Sequence, residues 1–126
     1  MKLRVARHTD NMSKIIQFYT EIIGLQILGR FTDHDGYDGV FLGLADMDWH
    51  FEFTTSDHSP EHQPDLDDVL VFYTPSQAKY TSIINNLTLA KQSTFVAKNP
   101  YWNAHGSCYF DPDNFPIVIV PPKPNA

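Results

Sequence analysis

Hydrophobic and polar residues follow a similar pattern in the two halves of the chain. In the first half, weak alternation over residues 3–8 predicts a strand, and Asp10 is a suitable N-cap for a helix that ends at Gly24. In the second half, a continuous apolar run within residues 67–74 predicts a buried strand, and Pro75-Ser76 opens another helix. The first helix has its apolar positions on one side: Met12, Ile15, Ile16, Tyr19, Ile22 and Ile23.

Three strands follow each predicted helix. In the first half they cover residues 25–32, residues 37–44 and the segment that begins at Trp49, with a turn at residues 33–36. In the second half the predicted strands are 93–97, 104–110 and 115–120, separated by loops at 99–103 and 111–114. Because the order strand, helix, strand, strand, strand occurs twice, we predict an α+β fold of two βαβββ modules.

The length of 126 residues fits a single domain with a substantial core. Within residues 1–126 we place module 1 at about 1–56, a linker at about 57–65 and module 2 at about 66–121. The linker has no apolar periodicity and contains two prolines, so its histidines, His58 and His62, are expected to be solvated.

The formal net charge of −6 argues against nucleic acid or an anionic membrane as a partner. No stretch approaches the roughly 18 apolar residues of a membrane span, and no secretory signal is visible at the start. Cys108 is the single cysteine, so no intrachain disulfide can form. We therefore expect a cytoplasmic protein in which Cys108 is a packed side chain rather than a nucleophile.

Two polar side chains share one face of the strand that begins at Trp49. His50 and Glu52 are two residues apart, whereas Trp49, Phe51 and Phe53 point the other way and are typical of a helix-packed core. Glu52 is a candidate general base or the partner of an arginine, and the alternative is that both residues are ordinary solvent-face residues.

Arg4 and Arg7 on the first strand are the candidate partners of Glu52. Their side chains point to opposite faces, so only one of them can face the carboxylate. An inward Arg4 would form a guanidinium–carboxylate pair.

Two other segments carry unusual side chains. Tyr101 and Trp102 lie in a predicted loop, where they could cover a cavity, contact a second subunit or simply pack. The segment at residues 33–38, Asp-His-Asp-Gly-Tyr-Asp, has residue types that bind metals, but a polar hairpin turn is the favoured interpretation.

The combination of several short motifs resembles the vicinal oxygen chelate superfamily, which includes glyoxalases, bleomycin resistance proteins and extradiol dioxygenases. These motifs are Asp10, Phe18-Tyr19, Ile23-Gly24-Leu25, Gly36, Gly43, Phe51-Glu52-Phe53 and Asp111-Pro112-Asp113. The resemblance implies two modules forming a curled mixed sheet around a central cavity. It also implies a small-molecule ligand, a homodimer and, in metal-dependent members, metal ligands from the first and last strands of both modules.

Carried over to this chain, those ligand positions fall at Leu3 or Arg4, at Glu52, at Asp68 or Val69, and at Val118. Most of these positions lack a side chain that is certain to bind a metal. The predicted function is therefore to bind a small organic molecule in an aromatic-lined cavity, without a metal or other cofactor. The predicted ligand-binding residues are Arg4, His50, Glu52, Tyr101 and Trp102, with Glu52 as the candidate catalytic residue. The alternative is a metal-dependent lyase, isomerase or dioxygenase that holds one divalent ion with Glu52, His50 and Asp68.

Overall fold

The structure is a computed structural model that describes residues 1–124. The chain divides into two compact units, the first spanning Met1–His62 and the second beginning at Gln63. This boundary falls inside the predicted linker.

The first unit is a four-stranded sheet with one helix. The sheet has the order β1-β4-β3-β2, with β1 parallel to β4 and the other neighbours antiparallel. A π-helical turn, Phe18–Ile22, continues the helix to its end near Gly24. The elements are β1 (Leu3–His8), α1 (Met12–Gln17), β2 (Gln26–His34), β3 (Tyr37–Gly43) and β4 (Trp49–Thr55).

The core of this unit lies between α1 with its π-helical turn and one face of the sheet. Tyr19 is fully buried, and its ring centre lies 5.7 Å from that of Phe51 and 5.3 Å from that of Phe53. Because side chains alternate along a strand, His50 and Glu52 of β4 emerge on the opposite face. The predicted division of β4 into a core face and a polar face is therefore present.

The hairpin between β2 and β3 turns at Asp35 and Gly36. Both residues have positive φ, 52° and 86°, and His34 pairs with Tyr37 across the turn. Two positive-φ residues in a two-residue loop define a type I′ turn, whose twist matches that of the strands. The favoured interpretation of this segment as a polar hairpin turn is confirmed.

The second unit contains a three-stranded sheet of order β5-β7-β6, with β5 parallel and β6 antiparallel to β7. Its elements are β5 (Leu70–Tyr73), α2 (Gln77–Leu89), α3 (Pro100–His105), β6 (Ser107–Phe110) and β7 (Pro116–Val120). The predicted α+β class is confirmed, with two sheets of four and three strands. No helix within residues 1–124 is both long and apolar enough to cross a membrane.

Two predictions for the second module are wrong. Within residues 93–97 only Thr94 pairs, in a single bridge to Tyr109, and the predicted loop at 99–103 lies largely in helix α3. Asn99 caps this helix by accepting a hydrogen bond from the N–H of Tyr101, and Pro100 occupies the first helical position.

Asn103 replaces strand pairing at the end of the segment before α3. Its side-chain oxygen accepts from the N–H of Ala97 and its amide donates to the C=O of Ala97, both over 2.9 Å. The backbone of Ala97 therefore has its hydrogen bonds satisfied by a side chain instead of a neighbouring strand.

Candidate functional site

The sheet face opposite α1 carries the polar side chains of the first unit. We call it the polar face and define it by the following residues: Arg4, His8, Phe31, Phe41, His50, Glu52 and Thr54. Strand register sets this grouping, since Arg4 is paired with His50, His8 with Thr54, and Phe41 with Glu52. Residues paired across neighbouring strands share a face.

Arg4 is at the centre of the polar face. Its Nε donates a hydrogen bond to Nε2 of His50 over 2.9 Å, and its Nη1 lies 3.5 Å from Oε2 of Glu52. The guanidinium carbon lies 4.7 Å from the centre of the Phe41 ring, within the range of a cation–π contact. The contact predicted between Arg4 and Glu52 is thus present, whereas Arg7 lies on the other face, 5.2 Å from the Phe53 ring.

The hydrogen bond from Arg4 fixes the proton on the His50 ring. Nε2 of His50 accepts a hydrogen bond, so the neutral imidazole carries its proton on Nδ1. The Glu52 side chain is 17% exposed and that of Arg4 is 49% exposed. The bonds to His50 and Glu52 engage two of the five guanidinium N–H groups, and the rest can meet a ligand at the surface.

Glycines open space for aromatic rings on the same face. A Cβ at Gly39 would lie 2.2 Å from Cε1 of Phe31, and a Cβ at Gly29 would lie 3.3 Å from Cδ2 of Phe41. The Phe31 and Phe41 rings therefore lie over backbone, with their centres 5.8 Å apart. They form an apolar surface beside Arg4. This surface was not predicted from the sequence, although glycines at β-strand positions were a signal for it.

His8 organises a second hydrogen-bond network on the polar face. Its Nδ1 lies 2.7 Å from Oγ1 of Thr54, and its Nε2 donates to the carbonyl oxygen of His58 over 2.9 Å. The Nε2 of His62 in turn donates to the carbonyl oxygen of His8 over 2.7 Å. The expectation of a solvated His62 is wrong, because its ring is half-buried by this bond, whereas the His58 side chain is 86% exposed as predicted.

The positions that the superfamily uses for metal ligands do not fit a metal here. Leu3 is 60% exposed and has no donor atom, Arg4 brings a cation to Glu52, and Val118 is fully buried in an apolar cluster. Asp68, the third ligand in the metal-dependent alternative, is exposed ahead of β5. Within residues 1–124, no three His, Cys, Asp or Glu side chains are grouped as a metal would require.

Tyr101 and Trp102 belong to α3 in the second unit. Trp102 packs against the cluster formed by Ala97, Cys108, Val118 and Val120, so its position matches the packing alternative. Tyr101 is 51% exposed and meets the Trp102 ring edge-on, with centres 5.1 Å apart. A ligand-binding role for the pair stays a prediction.

Cys108 is buried in the same cluster, as expected for a packed side chain. Burial raises the pKa of its thiol, and a hydrogen bond with the Ala97 backbone opposes this rise. The thiol therefore stays protonated at neutral pH and is a poor nucleophile.

Two family models match this chain, one to each module. The YycE-like N-terminal domain matches residues 3–54 and the YycE-like C-terminal domain matches residues 67–120. The uncharacterised protein YycE of Bacillus subtilis strain 168 is 37% identical over 123 residues, covering 97% of this chain and 88% of that protein.

Solved structures show the same fold. A Bacillus subtilis YycE crystal structure, named as a protein of unknown function and a candidate glyoxalase/fosfomycin resistance protein, superposes with a TM-score of 0.87 at 36% identity, covering 99% of this chain and 92% of that one. The trypanothione-dependent glyoxalase I of Leishmania major gives 0.74 at 16% identity, with 96% and 86% coverage. TnmS3, an antibiotic binding protein from a Streptomyces species, gives 0.67 at 16% identity, with 98% and 96% coverage. The chain belongs to the YycE-like family of the vicinal oxygen chelate superfamily.

Proposed function

We propose that this protein binds a small organic molecule on the polar face of its first unit, and that Glu52 pairs with Arg4 instead of holding a divalent metal. The observation that carries the proposal is the Arg4 guanidinium, which contacts His50, Glu52 and the Phe41 ring together. A guanidinium with three neighbours is held in one orientation before a ligand arrives. Such preorganisation lowers the entropic cost of binding.

The chemistry of the polar face suits a ligand with one polar group and one flat apolar part. The free N–H groups of Arg4 would donate to an oxygen of the ligand, and the half-buried Glu52 would accept from a hydroxyl or amine. The Phe31 and Phe41 rings would contact the flat part. A few convergent polar groups beside aromatic surface are typical of small-molecule sites.

The comparisons support this proposal only through the fold. TnmS3 binds an antibiotic, as its name states, and the glyoxalase I acts as an enzyme, so the shared fold is compatible with either use. The contact between Glu52 and a guanidinium favours binding without a metal, because a cation already occupies the position beside the carboxylate.

A thermal-shift screen of metabolites and antibiotics tests the proposal, since a ligand that binds only the folded state raises Tm by mass action. We expect a compound that stabilises the wild-type chain to lose most of its effect with Arg4→Met and with Glu52→Gln. Asp35→Asn is the matched control, because that carboxylate is 93% exposed at the hairpin turn. Stabilisation that is unchanged in both polar-face variants would contradict the proposed site.

The same variants separate binding from metal-dependent catalysis. If one divalent ion per chain binds and is lost with Glu52→Gln, then Glu52 is a metal ligand, which would contradict the metal-free proposal and favour the lyase, isomerase or dioxygenase alternative. The predicted homodimer is a separate property, and sedimentation analysis of the wild-type chain tests it.

A further inference from the structure

A groove of about 430 Å³ lies at one end of the sheet in the second unit. We call it the tyrosine groove and define it by the residues that line its walls: Tyr73, Tyr101, His105, Pro121, Pro122 and Lys123. Its volume lies within the range of sites that hold small molecules. It belongs to a different unit from the polar face.

Tyr73 connects the groove to the core of the second unit. On β5, Val71 and Tyr73 point to the same side, and Val71 packs against the buried cluster that contains Val118 and Val120. Tyr73 continues this apolar surface outward but is 70% exposed. The Tyr73 ring is therefore accessible to a ligand in the groove.

The opposite wall is formed by α3. Tyr101 and His105 form a tilted stack, with ring centres 4.3 Å apart and an interplanar angle of 37°. Tyr101 is 51% exposed, so part of its ring is open to the groove. The edge-on contact with Trp102, itself part of the core cluster, limits how far the Tyr101 ring can move.

The third wall is the segment after β7, and it is fixed at its start. Thr74 donates to the carbonyl oxygen of Val120 twice, from its hydroxyl over 2.8 Å and from its backbone N–H over 3.0 Å. Pro121, Pro122 and Pro124 then restrict the backbone on both sides of Lys123. This wall therefore loses little conformational entropy when a ligand binds.

The charge of the groove differs from that of the whole protein. The chain has a formal net charge of −6, yet none of the residues that line the groove carries a carboxylate. Lys123 contributes a full positive charge, and His105 contributes a ring that can donate a hydrogen bond. An anionic group would therefore meet a local positive charge here, although the protein as a whole is negatively charged.

From these features we propose that the tyrosine groove binds a flat aromatic anion, in particular an aromatic carboxylate of one or two rings. The ring of the ligand lies between Tyr73 and the Tyr101–His105 stack, and its carboxylate pairs with Lys123. This site is distinct from the polar face and does not depend on the function proposed for it.

Tryptophan fluorescence can test this site, because Trp102 is adjacent to Tyr101 and the chain has only two tryptophans. In a Trp49→Phe background, Trp102 is the sole reporter. The test is a titration of this variant with 1-naphthoate and, separately, with its uncharged analogue 1-naphthalenemethanol. We expect naphthoate to quench Trp102 emission saturably and to bind about fivefold more tightly than the alcohol, as one solvent-exposed charge pair allows.

Variants of the two walls complete the experiment. Tyr101→Ala should weaken naphthoate binding about fivefold, and Lys123→Ala should remove the preference for naphthoate over the alcohol. Lys98→Ala is the matched control, because it removes an exposed cation that pairs with Asp65 elsewhere in the unit. Calorimetry of naphthoate with the wild-type chain gives a second measurement that does not need the Trp49→Phe change.

Three outcomes would overturn the inference. The first is binding that Tyr101→Ala leaves unchanged. The second is equal affinity for naphthoate and the alcohol, which would remove the anion selectivity. The third is naphthoate binding that is lost with Arg4→Met but kept with Tyr101→Ala, which would place the ligand on the polar face and leave the proposed function standing.

Discussion

Arg4 and His50 lie side by side on the parallel strands β1 and β4, joined by a hydrogen bond of 2.9 Å from Nε of the arginine to Nε2 of the histidine. An imidazolium ring has no lone pair to accept such a bond, so the contact exists only with neutral His50. The arginine side chain is thereby held next to an uncharged ring on one side and next to the Glu52 carboxylate on the other.

This geometry predicts unequal couplings within the cluster. A double-mutant cycle with Arg4→Met and His50→Leu should give a coupling free energy of about 1 kcal/mol, since the bond is short and its donor is charged. The cycle with Arg4→Met and Glu52→Gln should give less than about 0.5 kcal/mol, because that pair is 3.5 Å apart and Arg4 is half-exposed. Urea unfolding of the wild type, the two single variants and the double variant measures the coupling free energy in each cycle. Equal couplings would mean that the carboxylate orients Arg4 as strongly as the imidazole does.

The contact between Phe31 and Gly39 predicts a steric effect. Gly39→Ala would place a methyl group 2.2 Å from Cε1 of Phe31, so we expect a loss of about 1–3 kcal/mol in the free energy of unfolding. Adding Phe31→Leu should recover part of that loss, because the shorter side chain vacates the space. Denaturant unfolding of the two single variants and the double variant measures this. Gly29→Ala is the milder control, since its nearest ring atom would be 3.3 Å away. A double variant less stable than Gly39→Ala would contradict the explanation.

Metal uptake distinguishes the two functions considered for Glu52. After equilibration with zinc, nickel, manganese or ferrous iron, we expect well under one ion per chain, because Arg4 faces the carboxylate and Val118 has no donor atom. Elemental analysis after desalting measures the bound ion. The Glu52→Gln variant should give the same value as the wild type, and a loss of bound metal in that variant would instead identify Glu52 as a ligand.

Alkaline pH should destabilise the second unit. Burial raises the pKa of the Cys108 thiol above its ordinary value of 9.0, so the folded state keeps a proton that the unfolded chain releases. The contribution of the protonated thiol to the free energy of unfolding is fully present below pH 9.0, and it is lost as the pH rises through the pKa of the thiol in the folded state. Burial and the charge of Tyr80 raise the pKa of Tyr109 from 10.0 in the same direction.

Urea unfolding at about pH 8 and about pH 10 measures this decline. We expect a smaller decline in Cys108→Ala than in the wild-type chain, because that variant has no thiol to titrate. Comparing declines removes any constant effect of the substitution on packing. An identical decline in both proteins would assign the alkaline effect to other groups, with Tyr109→Phe as the next variant to measure.

Local sequence signals identified much of the first unit. The type I′ turn at Asp35-Gly36 followed from backbone chemistry, and the division of β4 into two faces followed from alternation. The sequence left Arg4 and Arg7 as alternative partners of Glu52, and the parallel register of β1 and β4 in the structure places Arg4 on the face of Glu52.

Other features depend on contacts between distant residues or on signals that compete with one another. The His8 network joins residues 46 to 54 positions apart, and no pattern in the sequence indicates it. In the second unit, Asn99 and Pro100 were interpreted as turn residues between two predicted strands, but the same pair is the N-cap and first residue of helix α3. Within residues 93–97 the backbone bonds to β6 end at Phe95, and the side chain of Asn103 takes up the N–H and C=O of Ala97.

The bonds of His8 also determine where the chain could be divided into two separate polypeptides. Its ring donates a hydrogen bond to the carbonyl oxygen of His58, and its own carbonyl oxygen accepts one from the ring of His62. The start of the linker is therefore bonded to the end of β1. A break after Asp57 would place His58 and His62 on a different polypeptide from His8. A break after His62 would leave every one of these bonds inside the first polypeptide.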